Sequence, residues 1–295
     1  KIHEALGSFN AILFLPQMLQ IVEGPPEERR RYLNLAISQA HPVYARDLHE
    51  YGQVLSQRNA LLKNLSEHSL DMASSEEQIS YWDDRLSYYG ARVIHQRLRA
   101  VQELEQLASQ VHLELTRKAE VLRLVYKLSY EQLPDQDGQF KMLMDVPLDS
   151  TRVSLEKIQE DFQQSLKKKR SEEIARGLTL FGPHRDELVL LANGNELRYY
   201  CSRGQARTTV LSLKLAEVAW MKEQTGQWPV LLLDEVLAEL DPARRVDLLT
   251  RLGASEQVLL TTTELDRYSG DFIQQSRLWQ VQAGAVEPLQ PSLNQ

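Results

Sequence analysis

Cysteine is nearly absent from this sequence: Cys201 is the only one among 295 residues. A single cysteine excludes an intramolecular disulfide framework and is typical of a reducing cytosol, so we expect a cytoplasmic location. Long apolar runs are missing too, and none approaches the roughly 20 residues that span a membrane as a helix. No signal-peptide pattern is visible either, and no membrane association is predicted.

An excess of positive charge is also missing. The 34 basic and 41 acidic side chains give a net charge of −7. The whole molecule is therefore not a basic nucleic-acid binder, and any DNA contact has to use a local patch. Hydrophobic residues make up 42% of the chain, which is enough for the core of one large domain or two.

The phosphate-binding P-loop is a further absence. No glycine is followed by lysine, so the pattern G-x-x-x-x-G-K-[ST] cannot be written anywhere in the sequence. We therefore expect this chain alone to bind ATP poorly and to be inactive as an ATPase. The first residue is Lys1 rather than methionine, and it lies in a strand-like pattern, which predicts a truncated N-terminus.

The strongest pattern present is V-L-L-L-D-E-V-L-A-E-L-D at residues 230–241. Its apolar run is typical of a strand buried on both faces of a parallel sheet, and carboxylates at the end of such a strand lie where α/β sheets bind ligands. In nucleotide hydrolysis, Asp234 can hold Mg²⁺ and Glu235 can orient or deprotonate a water. The alternative is a buried strand followed by an acidic helix cap. Asp241-Pro242 then starts a helix.

A second motif, S-R-G-Q-A-R at residues 202–207, opens a predicted helix over 204–224. A serine hydroxyl, free backbone amides and the positive end of the helix dipole suit an anion such as a γ-phosphate. The alternative is a plain helix cap, which needs only Ser202. A third motif, G-P-H-R-D at residues 182–186, is either a turn or a phosphate- or DNA-proximal loop with His184 and Arg185.

Helical periodicity dominates the first half of the chain. One helix is predicted from Pro26 to about Lys63, with an irregularity at His41-Pro42. Another begins at a capping box at 75–78 and continues to Leu115. Together they predict an antiparallel hairpin or short coiled coil; the alternative is an ordinary helical subdomain.

The second half alternates helices and strands, which favours an α/β lobe with a mainly parallel sheet. Helices are predicted at 154–176 and 242–252. Strands are predicted at 11–15, 121–128, 178–181, 188–191, 197–200, 230–233, 257–261 and near 278–281. We divide the chain into a remnant of a first lobe (1–25), a helical arm (26–120), a main lobe (121–284) and a disordered tail (285–295).

Two basic groups are candidates for contacts with DNA phosphates. The alternative for each is a solvated helix face. Their members are Arg29, Arg30 and Arg31 in the first group, and Lys167, Lys168, Lys169 and Arg170 in the second.

Taken together, these motifs resemble the RecF family of bacterial recombination mediators, which are ABC/SMC-type ATPases. The resemblance also includes L-F-L-P at 13–16, G-P-P-E-E-R-R-R-Y-L at 24–33 and L-S-Q-R-N at 55–59, and so covers nearly the whole chain. It implies an ABC-type ATPase head with a mainly parallel sheet and a helical-hairpin lobe.

The resemblance also implies function and site residues. RecF-like proteins bind ATP between two heads of a homodimer, bind DNA in that state and hydrolyse ATP slowly. With RecO and RecR they assist RecA loading at gaps. Asp234 would then serve Mg²⁺, Glu235 would be the general base, and Asp241 would act across the dimer seam. The γ-phosphate of the opposite subunit would meet Ser202, Arg203, Gly204 and Gln205.

The sequence departs from that pattern after the strand at 257–261. Many ABC ATPases have a switch histidine there, and this chain has Thr263, which can hydrogen-bond a phosphate but carries no charge. With the missing P-loop, this leaves a non-enzymatic DNA- or partner-binding module as the alternative function. A purely architectural SMC-like role fits less well because the helical hairpin is short.

Overall fold

The computed structural model describes residues 9–67, 72–130, 153–236, 240, 242–253, 255–266 and 268–289. Its helices are α1 (Pro16–Leu19, a 3-10 turn), α2 (Gln20–Glu23), α3 (Pro26–Ala40), α4 (Pro42–Glu67), α5 (Met72–Leu115), α6 (Leu155–Arg176), α7 (Leu197–Tyr200), α8 (Arg203–Thr225), α9 (Pro242–Leu252) and α10 (Gly270–Gln275). Its strands are β1 (Ala11–Phe14), β2 (Leu122–Lys127), β3 (Glu187–Ala192), β4 (Asn195–Glu196), β5 (Val230–Asp234), β6 (Val258–Thr261), β7 (Trp279–Gln282) and β8 (Ala285–Pro288).

A parallel sheet of order β1-β5-β6 carries the residues of main interest. One of its faces holds Ile12, Leu231 and Leu233, which are buried against the apolar side of α8. The other face is open: Leu13 is 38% exposed and Leu259 is 51% exposed. Strand β5 is therefore buried on one face, and the prediction of burial on both faces is wrong for the described residues.

A second sheet is antiparallel and has the order β2-β3-β4. The turn between β3 and β4 is the predicted Asn-Gly hairpin, since Asn193 and Gly194 have φ values of 48° and 82°. These left-handed conformations suit the tight turn that joins two twisted strands. The described residues therefore form an α/β fold with one parallel sheet and two antiparallel ones, the third being the two-stranded β7-β8 sheet.

The helical hairpin is formed by α4 and α5, which pack side by side. Proline at position 42 separates α3 from α4, as predicted, because its ring removes a backbone donor. Helix α5 has 44 residues and is therefore about 66 Å long. Its first residue is Met72, so the capping box predicted at 75–78 lies inside the helix. No helix in the described part of the chain is long and apolar enough to cross a membrane.

Two predicted strands are wrong. Residues 178–181 form no strand because side chains take their backbone donors: Thr179 N–H donates to Asn59 Oδ1 at 2.8 Å, and Leu180 N–H donates to Glu173 Oε1 at 2.8 Å. The predicted strand at 197–200 is the short helix α7.

The end of the chain also differs from the prediction. Strands β7 and β8 pair antiparallel, with Val281 opposite Val286. The tail predicted to be disordered from residue 285 is therefore ordered over 285–289, and residues 290–295 lie outside the described residues. The rest of the domain division stays a prediction.

Candidate functional site

Asp234 and Glu235 lie at the carboxyl edge of the parallel sheet. Asp234 is the last residue of β5, where it pairs with Thr261 of β6. The Thr261 hydroxyl donates to Asp234 Oδ1 at 2.6 Å. Glu235 follows with a φ of 51°, a left-handed conformation that is uncommon for residues other than glycine. Both carboxylates are exposed, and both can therefore meet a ligand from solvent.

This edge fits one Mg²⁺ only when a ligand supplies further oxygens. Among the described residues, no group of three or more His, Cys, Asp or Glu side chains could hold a metal. Mg²⁺ commonly uses one or two protein carboxylates and completes its shell with water and phosphate oxygens. Asp234, held in place by Thr261, fits that requirement.

Ser202 and Gln205 form a reciprocal cap at the start of α8. Gln205 N–H donates to Ser202 Oγ at 3.2 Å, and Ser202 N–H donates to Gln205 Oε1 at 2.9 Å. The first amides of a helix have no acceptor within it, so Arg203 and Gly204 present theirs outward. Ser202, Arg203 and Gly204 are exposed. The predicted anion-binding end of the helix is therefore open.

One groove connects this helix with the segment that follows β5. It is a shallow groove with a cavity volume of about 40 Å³, and it is mostly apolar. Arg207 and Lys214 of α8 line it together with Val236 and Leu240, which follow the two carboxylates. The structure thus brings helix α8 and the segment after β5 to one place, on the side where the chain leaves β1.

Two further residues were predicted near the nucleotide, Thr263 and Asp241. Thr263 is exposed, but the threonine that touches Asp234 is Thr261. Asp241 lies outside the described residues. Thr261 was missed by sequence reasoning, although its place in the adjacent parallel strand would have indicated it.

Arg29, a predicted DNA contact, is buried and engaged within the protein. It is only 3% exposed. Its guanidinium donates to both carboxylate oxygens of Glu187, at 2.8 and 3.1 Å, and to Gly24 O at 3.0 Å. Arg30 is also largely engaged, because it donates to Asp186 O at 3.0 Å and to Glu27 at 2.9 Å. Arg31 is exposed and remains a candidate.

The second basic group also contains both side chains that are engaged within the protein and side chains that are exposed. Arg170 donates to Asp83 Oδ2 at 2.7 Å and its side chain is 18% exposed, so it belongs to a buried ion-pair network. Lys169 pairs with Glu172 at 3.1 Å. Lys167 and Lys168 are exposed on α6 and remain candidates for DNA contacts.

The G-P-H-R-D loop is held from within. His184 lies half-buried, with its Nδ1 2.6 Å from the Tyr51 hydroxyl and its Nε2 3.4 Å from Thr179 O. Asp186 is fully buried and accepts from the Tyr126 hydroxyl and from Ser129 N–H, each at 2.8 Å. Both ring nitrogens of His184 therefore have partners inside the protein. Arg185 is exposed and remains a candidate.

Acid should weaken the fold through His184. Burial lowers the pKa of His184 to about 4. A histidine whose folded pKa lies below its unfolded value near 6.5 binds more protons when unfolded, so stability falls as the pH drops from about 6.5 to about 4. The expected loss is up to about 3 kcal/mol.

Urea unfolding at pH 7.0 and at pH 4.5 measures this loss. The parent should lose more stability between the two values than His184→Gln, which has no titrating ring. Equal losses in the two proteins would contradict this effect of His184.

Comparison with known proteins identifies the family. Over 287 residues the chain is 38% identical to DNA replication and repair protein RecF of Exiguobacterium sp., covering 97% of this chain and 72% of that protein. It is 37% identical over 286 residues to the RecF of Bacillus subtilis, with the same two coverages. The chain belongs to the RecF family. No protein-family model matches it.

Solved structures agree with the RecF assignment. The recombination mediator protein RecF-ATPrS in the RecFOR pathway superposes with a TM-score of 0.81 at 30% identity, covering 98% of this chain and 70% of that one. RecF-ATP gives a TM-score of 0.79, also at 30% identity, with coverages of 97% and 69%. The predicted RecF family and ATPase-head fold class are confirmed.

Proposed function

We propose that this chain is a DNA replication and repair protein that binds ATP and DNA and acts in the RecFOR pathway. Membership of the RecF family supports this proposal. Similarity to the solved structures of RecF-ATPrS and RecF-ATP in the RecFOR pathway supports it as well. In the finer proposal, two copies enclose ATP between them, and RecO- and RecR-like mediators and RecA are the protein partners.

The observation that carries the proposal is the pair Asp234 and Glu235, exposed at the carboxyl edge of a parallel sheet. Ligands of open α/β sheets bind at this edge. Bound Mg²⁺ would neutralise charge on the phosphates. Asp234 would bind the Mg²⁺, and the hydrogen bond from the Thr261 hydroxyl would keep the Asp234 carboxylate in place. Glu235 would orient the attacking water and accept its proton.

The start of α8 would supply the other half of the site from the second copy. The Ser202 oxygen already accepts from Gln205, which leaves its O–H free to donate to a phosphate oxygen. The amides of Arg203 and Gly204 would add two further donors, and the helix dipole favours the negative charge. Asp241 would act at the same seam, and Thr263 near the phosphate.

Binding of DNA with and without ATP tests this proposal in the protein as its gene encodes it. We expect binding to a gapped duplex to strengthen with ATP and Mg²⁺. ATP-independent binding would instead favour the non-enzymatic DNA- or partner-binding module, a reading suggested by the lack of a P-loop among these 295 residues.

Exposed lysines of α6 should contribute to DNA affinity. The double variant Lys167→Ala, Lys168→Ala removes two cations that no described contact engages. If both contact phosphates, the plot of log affinity against log salt should become shallower, with a slope less negative by about 2. Lys222→Ala is the control, because Lys222 lies 3.8 Å over the Trp228 ring, elsewhere on the fold. An unchanged slope in the double variant would exclude this surface.

A further inference from the structure

The side chain of Gln205 is held on both sides. Its Oε1 accepts from Ser202 N–H at 2.9 Å, while its Nε2 donates to Glu120 Oε1 at 2.8 Å. Glu120 lies far away in sequence, in the segment between α5 and β2. A residue outside the S-R-G-Q motif therefore engages the motif directly.

Glu120 is itself fixed by a buried histidine. His112 lies in the last turn of α5 and is fully buried. Its Nε2 is 3.2 Å from Glu120 Oε2, and its Nδ1 is 3.0 Å from the Ser212 hydroxyl of α8. A carboxylate can only accept, so the His112 Nε2–H donates to Glu120. Both oxygens of Glu120 are thus engaged.

This arrangement determines which way the Gln205 amide faces. An amide can present either its oxygen or its nitrogen to a neighbour. A carboxylate accepts but cannot donate, so Glu120 admits only the orientation with Nε2 towards itself. That orientation directs Oε1 to Ser202 N–H and completes the cap. Without Glu120, the Ser202 N–H alone would favour this orientation, and the amide would be held at one end instead of two.

We propose that Glu120 is a positioning residue that fixes Gln205, and through it Ser202, for the phosphate at the start of α8. His112 places Glu120 and so ties the end of the long arm helix α5 to this motif. The inference rests on the proposed ATPase function, and it adds a residue that acts through Gln205 rather than by touching the nucleotide.

Steady-state ATP hydrolysis by the protein as its gene encodes it tests the role of Glu120. Glu120→Ala removes the acceptor, and kcat should fall about tenfold with KM for ATP unchanged, which is the size of losing one hydrogen bond to a charged group. Glu120→Gln keeps one acceptor oxygen and should restore most of kcat. Glu114→Ala is the matched control, since Glu114 is a nearby acid paired with Arg251 that does not contact Gln205.

The outcomes distinguish a failure of the positioning role of Glu120 from a failure of the proposed ATPase function. A kcat for Glu120→Ala equal to that of the parent, or a loss that Glu120→Gln does not restore, would overturn the positioning role. If the parent hydrolyses no ATP, the proposed function fails, and NMR then decides the inference on its own. The Gln205 side-chain amide should exchange slowly with water in the parent and in Glu120→Gln, and fast in Glu120→Ala. Slow exchange in all three would overturn it.

Discussion

Glu235→Gln should retain ATP binding and lose ATP hydrolysis by at least about 100-fold. A general base contributes a factor of roughly 10² to 10⁴, and glutamine keeps the shape of glutamate without its basicity. The left-handed conformation of Glu235, immediately after Asp234, places this carboxylate at the exposed sheet edge rather than in the core. Hydrolysis and nucleotide affinity should be measured separately, by phosphate release and by titration with a fluorescent ATP analogue.

The control for this prediction is Glu256→Gln. Glu256 is an exposed acid in the turn before β6, and its neutralisation changes net charge by the same amount. It should hydrolyse ATP at the parent rate. A Glu235→Gln protein that also hydrolyses at the parent rate would show that another residue is the base.

Arg58→Met should cost about 3–5 kcal/mol of the free energy of unfolding. Arg58 is fully buried and donates to Asp83 Oδ1 at 2.8 Å, to Glu173 Oε2 at 2.6 Å and to the Thr179 hydroxyl at 2.8 Å. Both carboxylates are also fully buried. Removing the cation leaves two buried acids beside one another. Among the described residues, Arg170 is the remaining cation paired with them. Breaking a buried pair in this way is strongly destabilising.

Urea unfolding gives the free energy for this comparison, with Lys63→Met as the control. Lys63 lies on the same helix, is 69% exposed and makes only a long contact of 3.9 Å with Glu67. An exposed pair of this kind contributes about 1 kcal/mol or less. If Arg58→Met cost no more than Lys63→Met, the network would not support the helical arm as described.

The L-S-Q-R-N motif at 55–59 therefore has a structural explanation. Arg58 joins α4 to α5 and α6, and Asn59 Oδ1 accepts from both the backbone N–H and the hydroxyl of Thr179, at 2.8 and 2.7 Å. The G-P-H-R-D loop is similar, because Asp186 and His184 are bonded inside the protein. These two motifs therefore hold α4 to the elements packed against it.

The helices were predictable because their signals are local. Apolar periodicity, Pro42 and the serine cap at Ser202 placed α3, α4 and α8 within one or two residues, or within a few at the end of α4. Strand β5 and its terminal acids were predictable for the same reason. Local patterns were less reliable at 178–181, where an apolar run is held by side chains of Asn59 and Glu173 rather than by a strand.

The status of the basic residues could not be predicted from local sequence. Arg29 meets Glu187, 158 residues away, and Arg170 meets Asp83, 87 residues away. A run of arginines or lysines does not reveal such distant partners, so the members of each run separate into buried and exposed groups only in three dimensions. Glu120 escaped notice for the same reason, since Gln205 lies 85 residues beyond it.

Sedimentation of the protein, as its gene encodes it, with and without ATP and Mg²⁺ tests the central claim most directly. If the start of α8 meets the nucleotide of a second copy, ATP should double the sedimenting mass, and Ser202→Arg should abolish the increase by placing a bulky side chain at the helix cap. A mass that stays monomeric with saturating ATP, or a Ser202→Arg protein that still doubles, would contradict an ATP site shared between two copies.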